Sequence, residues 1–269
     1  MADDQVPVWP RPYFKRGEAQ TDLFFVCFGR APLADVELSR QRFGLPSRNV
    51  LDRVDLREHR RAASAAWFEG WWSSSFGAIA RRDLGEQLSV LTSTDVCHTL
   101  TLKLEDQPDL APQQTIWGLV RWLCERGASI VLDVHAFRFR TRAEVSALSF
   151  EGSDVQRDVK LVFENQPTLD GMHLLHTRGL CKFARPELLC YVHPDDLDVA
   201  GRLLNQVART LMEGAAPSQI HLRPAEGLEL TASESADSRL VESLGLLGAV
   251  MLTRAGGTAL AGIARLVPP

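Results

Sequence analysis

The sequence is poor in the patterns that mark known chemistries. It has no Walker phosphate loop, no GxGxxG, no GxSxG and no HExxH. The glycines of AGGTALAG lack the strand-to-helix setting that a phosphate cradle needs. These absences weigh against nucleotide-binding, nucleophile-elbow and zinc-protease classes. Long apolar runs are missing as well. LGLLGAVML stops at Thr253 and Arg254, well short of the roughly 20 residues that span a bilayer. There is no excess of basic charge: the formal net charge is −4, so no nucleic-acid partner is expected, since phosphate binding draws on a basic surface. The five cysteines, Cys27, Cys97, Cys124, Cys181 and Cys190, are odd in number and form no CxxC. Several sit in apolar runs such as FFVCF, so buried reduced thiols in a cytoplasmic protein are expected. The N-terminus, acidic and then proline-rich, has no secretory pattern.

What is present is a 269-residue chain of ordinary globular composition, 45% hydrophobic and 24% charged, long enough for one large domain or two modest ones. Pro7, Pro10 and Pro12 keep residues 1–20 an extended arm, whose Trp9 and Tyr13 must be covered by the chain itself or by a partner. DLFFVCFG reads as a buried strand. A short helix is expected between Pro32 and Gly44, and Asp55 with Glu58 has the spacing of a helix start. The helix that follows carries Trp67, Trp71 and Trp72, read as core or as a partner surface. QLSVLTST and DVCHTLTLKLED are expected to form an antiparallel pair. A helix follows Pro108 and Asp109, then the strand ASIVLDVHA. In FRFRTRAEV, Phe137 and Phe139 alternate with Arg138 and Arg140, the pattern of a half-buried strand with a basic outer face. Thr141 and Glu144 open another helix. The polar stretch 151–158 divides a first half, 21–150, from a second, 159–269, or interrupts one continuous domain.

The second half reads as strands VKLVFE, GMHLLHT and PELLCYV, a helix after Asp195, strands SQIHLRP and GLELTA, a helix in SADSRLVESLG, and a closing hairpin of GAVMLTR with TALAGIARLV. Strand, acidic Pro-Asp turn, amphipathic helix, glycine stop and strand recur in both halves. The expected fold is therefore α+β, with mostly antiparallel sheets, packed helices and two related strand–helix–strand halves.

The candidate site is the loop RGLCKFAR between GMHLLHT and PELLCYV. Arg178, Lys182 and Arg185, with Arg138 and Arg140 on a neighbouring strand, could hold a carboxylate or phosphate, because guanidinium offers a planar fork to such groups. Alternatively Glu187, Glu164 or Asp133 pair with them internally. His176 as base and Cys181 as nucleophile define a hydrolytic alternative. His173 and His176 lie on opposite faces of a strand and cannot share an ion; a soft site with Cys190 or His193 is the remaining arrangement, and neither a resident metal nor a cofactor is expected.

The run His176, Thr177, Arg178, Gly179, Leu180, Lys182, Phe183, Pro186, Glu187, Leu188 resembles the H-T-R-G-x-x-K-F-G-x-P-[DE]-L pattern of uncharacterised bacterial proteins carrying a domain of unknown function. Ala184 departs from it where glycine is expected, which would leave the loop less tightly turned. The resemblance implies a bacterial cytosolic protein and brings no activity. The expected function is a non-enzymatic protein-interaction module, with Trp9, Tyr13, Trp67, Trp71 and Trp72 facing another protein. The alternative is a small-anion-binding or hydrolytic enzyme centred on residues 176–187.

Overall fold

The structure, a computed structural model, describes residues 6–31, 33–168, 170–225, 228–234 and 238–254. The fold is α+β, with two mostly antiparallel sheets. The chain divides into two compact units. Unit 1 holds Met1–Pro10, Asp22–Leu104 and Asp109–Gly152; unit 2 holds Arg11–Thr21, Glu105–Pro108 and Ser153–Pro269. The second unit thus begins inside the polar stretch 151–158 and also takes two short segments from early in the chain.

In unit 1, β1 (Gln20–Gly29), β2 (Asp55–Arg60), β3 (Val96–Glu105), β4 (Ala128–Asp133) and β5 (Arg138–Thr141) form a sheet of order β2-β3-β1-β4-β5. β1 lies at its centre, and Leu23, Phe25, Val26, Cys27 and Phe28 are all buried, because both faces of the sheet are covered. One face packs Val26, Phe28, Cys97, Ile130, Leu132 and Phe139 against Phe68, Ala80, Leu84 and Leu91. These last four come from helices α2 (Ala65–Ser73), α3 (Ser75–Leu84) and α4 (Leu88–Thr92), which follow the single turn α1 (Arg40–Phe43). On the other face Trp117 of α5 (Ala111–Glu125) meets Phe25 edge-on at 5.0 Å. α6 (Arg142–Ala147) starts with the expected capping box of Thr141 and Glu144. Trp9 of the arm is buried, its N–H donating to Gln114 and its carbonyl accepting from Leu110.

Four local expectations are corrected. Asp55 and Glu58 do not start a helix: DLREHR is β2, paired antiparallel with β3, and these carboxylates bond Arg57 and Arg60. QLSVLTST is not a strand. Its Val, Leu and Thr content favours extended chain, yet burying Leu91 under the sheet makes Leu88–Thr92 helical. The helix before Gly44 is one turn, capped by Ser39 and closed by Gly44 at φ 67°. The basic outer face of β5 is not solvent-facing at Arg140, which is buried with its guanidinium 5.8 Å over the Trp117 ring.

In unit 2, β6 (Lys160–Phe163), β7 (His173–Arg178), β8 (Glu187–Val192), β9 (His221–Ala225), β10 (Leu228–Glu234) and β11 (Ala249–Arg254) form a sheet of order β6-β7-β8-β11-β10-β9. β8 and β11 are parallel; the other neighbours are antiparallel. α7 (Val155–Asp158) precedes β6, and α9 (Ser238–Ser243) follows β10. The expected partner of β11 in a closing hairpin lies outside the described residues. α8 (Leu197–Met212) buries Leu203, Leu204, Val207, Leu211 and Met212 at helical spacing. It stops at Gly214 (φ 105°), where a Cβ would stand 2.6 Å from Phe14 Cα, so only glycine fits. The recurring strand–helix–strand segments are β3–α5–β4 and β8–α8–β9. Their strands sit differently: β1 separates the first pair, β11 and β10 the second.

Candidate functional site

The run from His176 to Leu188 is a β-hairpin, with β7 and β8 paired from His173↔Val192 to His176↔Leu189. Gly179 (φ 114°) leaves β7, Leu180–Phe183 make one 3-10 turn, and Ala184 (φ 54°) reverses the chain toward β8. Ala184 therefore takes the left-handed conformation that glycine would favour, and the loop turns sharply with alanine in that place.

A buried carboxylate organises this loop. Glu187 Oε1 accepts from the N–H groups of Gly179 (2.7 Å), Leu180 (2.8 Å) and Cys181 (3.4 Å). Glu187 Oε2 accepts from the Thr177 hydroxyl at 2.7 Å, and Thr177 Oγ1 accepts in turn from Leu188 N–H at 2.8 Å. Successive N–H groups at a turn make a concavity suited to an anion; here the anion belongs to the chain. Burial pushes the Glu187 carboxyl above its ordinary range, against the lowering pull of these four hydrogen bonds.

A second acid ties the loop to the rest of unit 2. Asp106 Oδ2 accepts from Arg185 Nη1 at 2.7 Å and from Gly17 N–H at 2.9 Å, while Oδ1 accepts from Arg11 Nη1 at 2.6 Å. The three charged side chains have at most 2% of their surface exposed. Arg185 uses all five of its N–H donors: Nε to Ala215 O, Nη1 to Asp106 and Ala184 O, Nη2 to Lys15 O and Gly214 O. Arg11 reaches Met212 O, Gln107 O and Phe183 O besides Asp106. Two guanidiniums thus bind the arm, the Asp106–Gln107 segment, the hairpin loop and the end of α8 to one another within unit 2. The sequence reading named neither Arg11 nor Asp106. Asp106 stands in the acidic turn EDQPD, and its partner Arg185 is 79 residues away, so no local spacing marks the pair.

The remaining candidates are dispersed. Arg178 donates to Leu244 O; burial lowers its pKa, with Glu187, Glu164 and Cys181 acting in the opposite direction. Lys182 is buried. His176 is fully buried, with Nδ1 3.1 Å from Thr177 O and Nε2 3.1 Å from Glu164 Oε1. Its ring is therefore engaged inside the sheet and is not presented to a substrate, contrary to the role of general base. Cys181 is half-buried. His173 stacks on Phe163 at 4.7 Å, and its Nδ1 lies 3.0 Å from Glu164 O. Cys190 is buried, which pushes its thiol up to about 12, while His193 caps the turn before α8. Arg138 and Arg140 belong to the five-stranded sheet of unit 1, whereas the hairpin belongs to the six-stranded sheet of unit 2. The expectation that they share a neighbouring strand is thereby corrected. Among the described residues, no group of three or more His, Cys, Asp or Glu side chains could hold a metal ion. No described helix is long and apolar enough to cross a membrane.

The aromatic candidates also separate. Trp9 is buried and Tyr13 is 57% exposed in unit 2. In unit 1, Trp71 packs edge-on to Phe24 and Phe28, and Trp72 lies under Arg61. Trp67 is 37% exposed, stacked on His59 at 4.5 Å and edge-on to Trp71 at 5.5 Å. Around it Ala62, Ala63, Ala65 and Ala66 are all exposed. No protein-family model matches this chain, and neither the curated proteins nor the solved structures contain a significant match.

Proposed function

We propose that this chain is a non-enzymatic protein-interaction module of a bacterial cytosolic system: an adaptor, an immunity-type protein or an assembly subunit. Its partner meets the start of α2. The observation that carries the reading is the apolar surface of Ala62, Ala63, Ala65, Ala66 and Trp67, with Trp67 braced between His59 and Trp71. A tryptophan already fixed by its neighbours loses little freedom on binding, which is the property of an interface anchor. Small alanines beside it let a partner approach the helix closely. The anion-binding and hydrolytic alternative is disfavoured, because Arg185 has no N–H left for a ligand and Glu187 already fills the loop's N–H concavity. An odd number of cysteines with no CxxC suits a reducing cytosol, and the bacterial assignment rests on the H-T-R-G pattern.

The test is affinity purification from the source cells with wild type and with Trp67→Glu, both checked for native circular dichroism. A protein retained by wild type and lost with Trp67→Glu is the expected result. Identical captured sets would place the interface elsewhere.

A further inference from the structure

The six-stranded sheet ends at β6, and this edge has an unusual composition. Natural edges are blunted by charge, proline or bulges. β2, one edge of the other sheet, follows that rule: Asp55 pairs with Arg57 and Glu58 with Arg60 along the strand. β6 reads Lys160-Leu161-Val162-Phe163, with Glu164 next; its middle carries no charge, and Phe163 is 36% exposed.

The backbone of this edge fixes which groups face outward. β6 pairs with β7 as Lys160↔Arg178, Leu161↔Thr177, Val162↔His176 and Phe163↔Leu175. Glu164 N–H donates to Leu174 O at 2.9 Å. Hydrogen-bonded and non-bonded pairs alternate along an antiparallel ladder. Glu164, Val162 and Lys160 therefore turn their N–H and C=O groups toward β7, and Leu161 and Phe163 turn theirs away from the sheet.

A second strand added here must bond to Leu161 and Phe163. The sequence of β6 itself meets that demand. Placed antiparallel about a two-fold axis through Val162, Leu161 faces Phe163 of the second copy, and Phe163 faces its Leu161. Both are the outward-bonding residues, so these two pairs exchange four backbone hydrogen bonds. In the same register Lys160 meets Glu164 of the second copy and Glu164 meets its Lys160, each pair opposite in charge. Val162 meets itself on the axis. Registers that put Leu161 or Phe163 on the axis lose both Lys160–Glu164 matches.

We infer that β6 is a homodimerisation edge, joining the six-stranded sheets of two copies in an isologous antiparallel pairing about Val162. β6 belongs to unit 2, whereas the surface proposed on α2 belongs to unit 1. The strands are short, and their contact falls below the roughly 1,200 Å² of stable interfaces, so a weak dimer is expected.

Two measurements on the full chain test this. Sedimentation of wild type between about 10 µM and about 1 mM should show a reversible monomer–dimer equilibrium. Val162→Cys should then form a disulfide dimer with oxidised glutathione, because facing non-bonded residues have Cα atoms about 4.5 Å apart, within disulfide reach. Leu161→Cys and Phe163→Cys, at equal concentration, should cross-link at least about tenfold more slowly, the wrong register costing about 1.4 kcal/mol or more. Circular dichroism of each variant verifies its fold. A wild type that stays monomeric at the highest concentration overturns the inference. So does a folded Val162→Cys that cross-links no faster than the other two.

Discussion

Asp106→Asn is the most informative single substitution in this protein. It keeps the size and shape of the side chain, and an amide oxygen can still accept from Gly17. What it removes is the charge between Arg11 and Arg185, whose guanidiniums contact the two carboxylate oxygens at 2.6 and 2.7 Å. All three side chains are almost fully withdrawn from water. Breaking such a buried pair by removing one partner costs about 3–5 kcal/mol, because uncompensated charge is left behind. The amide NH2 also faces donors, which adds to the loss. The comparison is Arg16→Ala, which removes the exposed pair with Glu105 and should change stability by less than about 1 kcal/mol. Urea unfolding followed by far-ultraviolet circular dichroism measures both. Tryptophan fluorescence serves as a local control, since all six tryptophans lie in unit 1 and the substituted residue in unit 2. A loss below about 1 kcal/mol for Asp106→Asn would refute the view that this acid holds the loop, the arm and the end of α8 together.

Other substitutions probe the backbone and the titrating groups. Gly77→Ala should destabilise by about 1–3 kcal/mol, because its Cβ would lie 2.3 Å from the Trp72 carbonyl, whereas Gly70→Ala in α2 meets nothing within 4 Å and should stabilise by about 0.5–1 kcal/mol; thermal unfolding of the two gives opposite signs. Ala184→Gly should stabilise by about 0.5–1 kcal/mol by relieving a left-handed alanine, measurable as a higher urea midpoint. Burial depresses the His98 imidazole below its ordinary 6.5, with Glu58 pulling the other way. The folded state therefore prefers the neutral ring: this contribution is fully present above pH 6.5 and is lost as pH falls through the folded value. His98→Gln should flatten that part of the stability–pH curve, and an unchanged slope would contradict the assignment.

Much of the architecture was legible from the spacing of apolar residues. Val96, His98, Leu100 and Leu102 share one parity of β3 and are buried, and Cys97 and Thr99 of the other parity are buried as well. The apolar spacing of α8 and the stop at Gly214 were readable for the same reason. The failures have physical causes. Asp55 and Glu58 have the spacing of a capping box, but spacing cannot tell a helix start from a strand whose charges pair along one edge. QLSVLTST has strand composition, and packing against a sheet overrode it. Arg140 was read as solvent-facing because strand alternation assumes one wet face, and this sheet has none at that position. At the loop, Glu187 was readable as an internal acid, but its oxygens accept from Thr177 and three backbone N–H groups where pairing with the cations was expected. The acid that binds Arg185 was not readable, since Asp106 comes from another segment of the chain and only the fold brings them together.

The loop from Gly179 to Arg185 thus has the parts of an anion site with its anion supplied by the chain. Amide exchange at single-residue resolution tests that claim most directly. The N–H groups of Gly179, Leu180 and Cys181 all point at the buried Glu187 carboxylate. They should be protected to the degree of Leu188, whose N–H is held by Thr177 within β8. Exchange of these three amides at the rate of an unprotected surface loop would contradict the account, because a concavity open to water and to ligands would then be the better description.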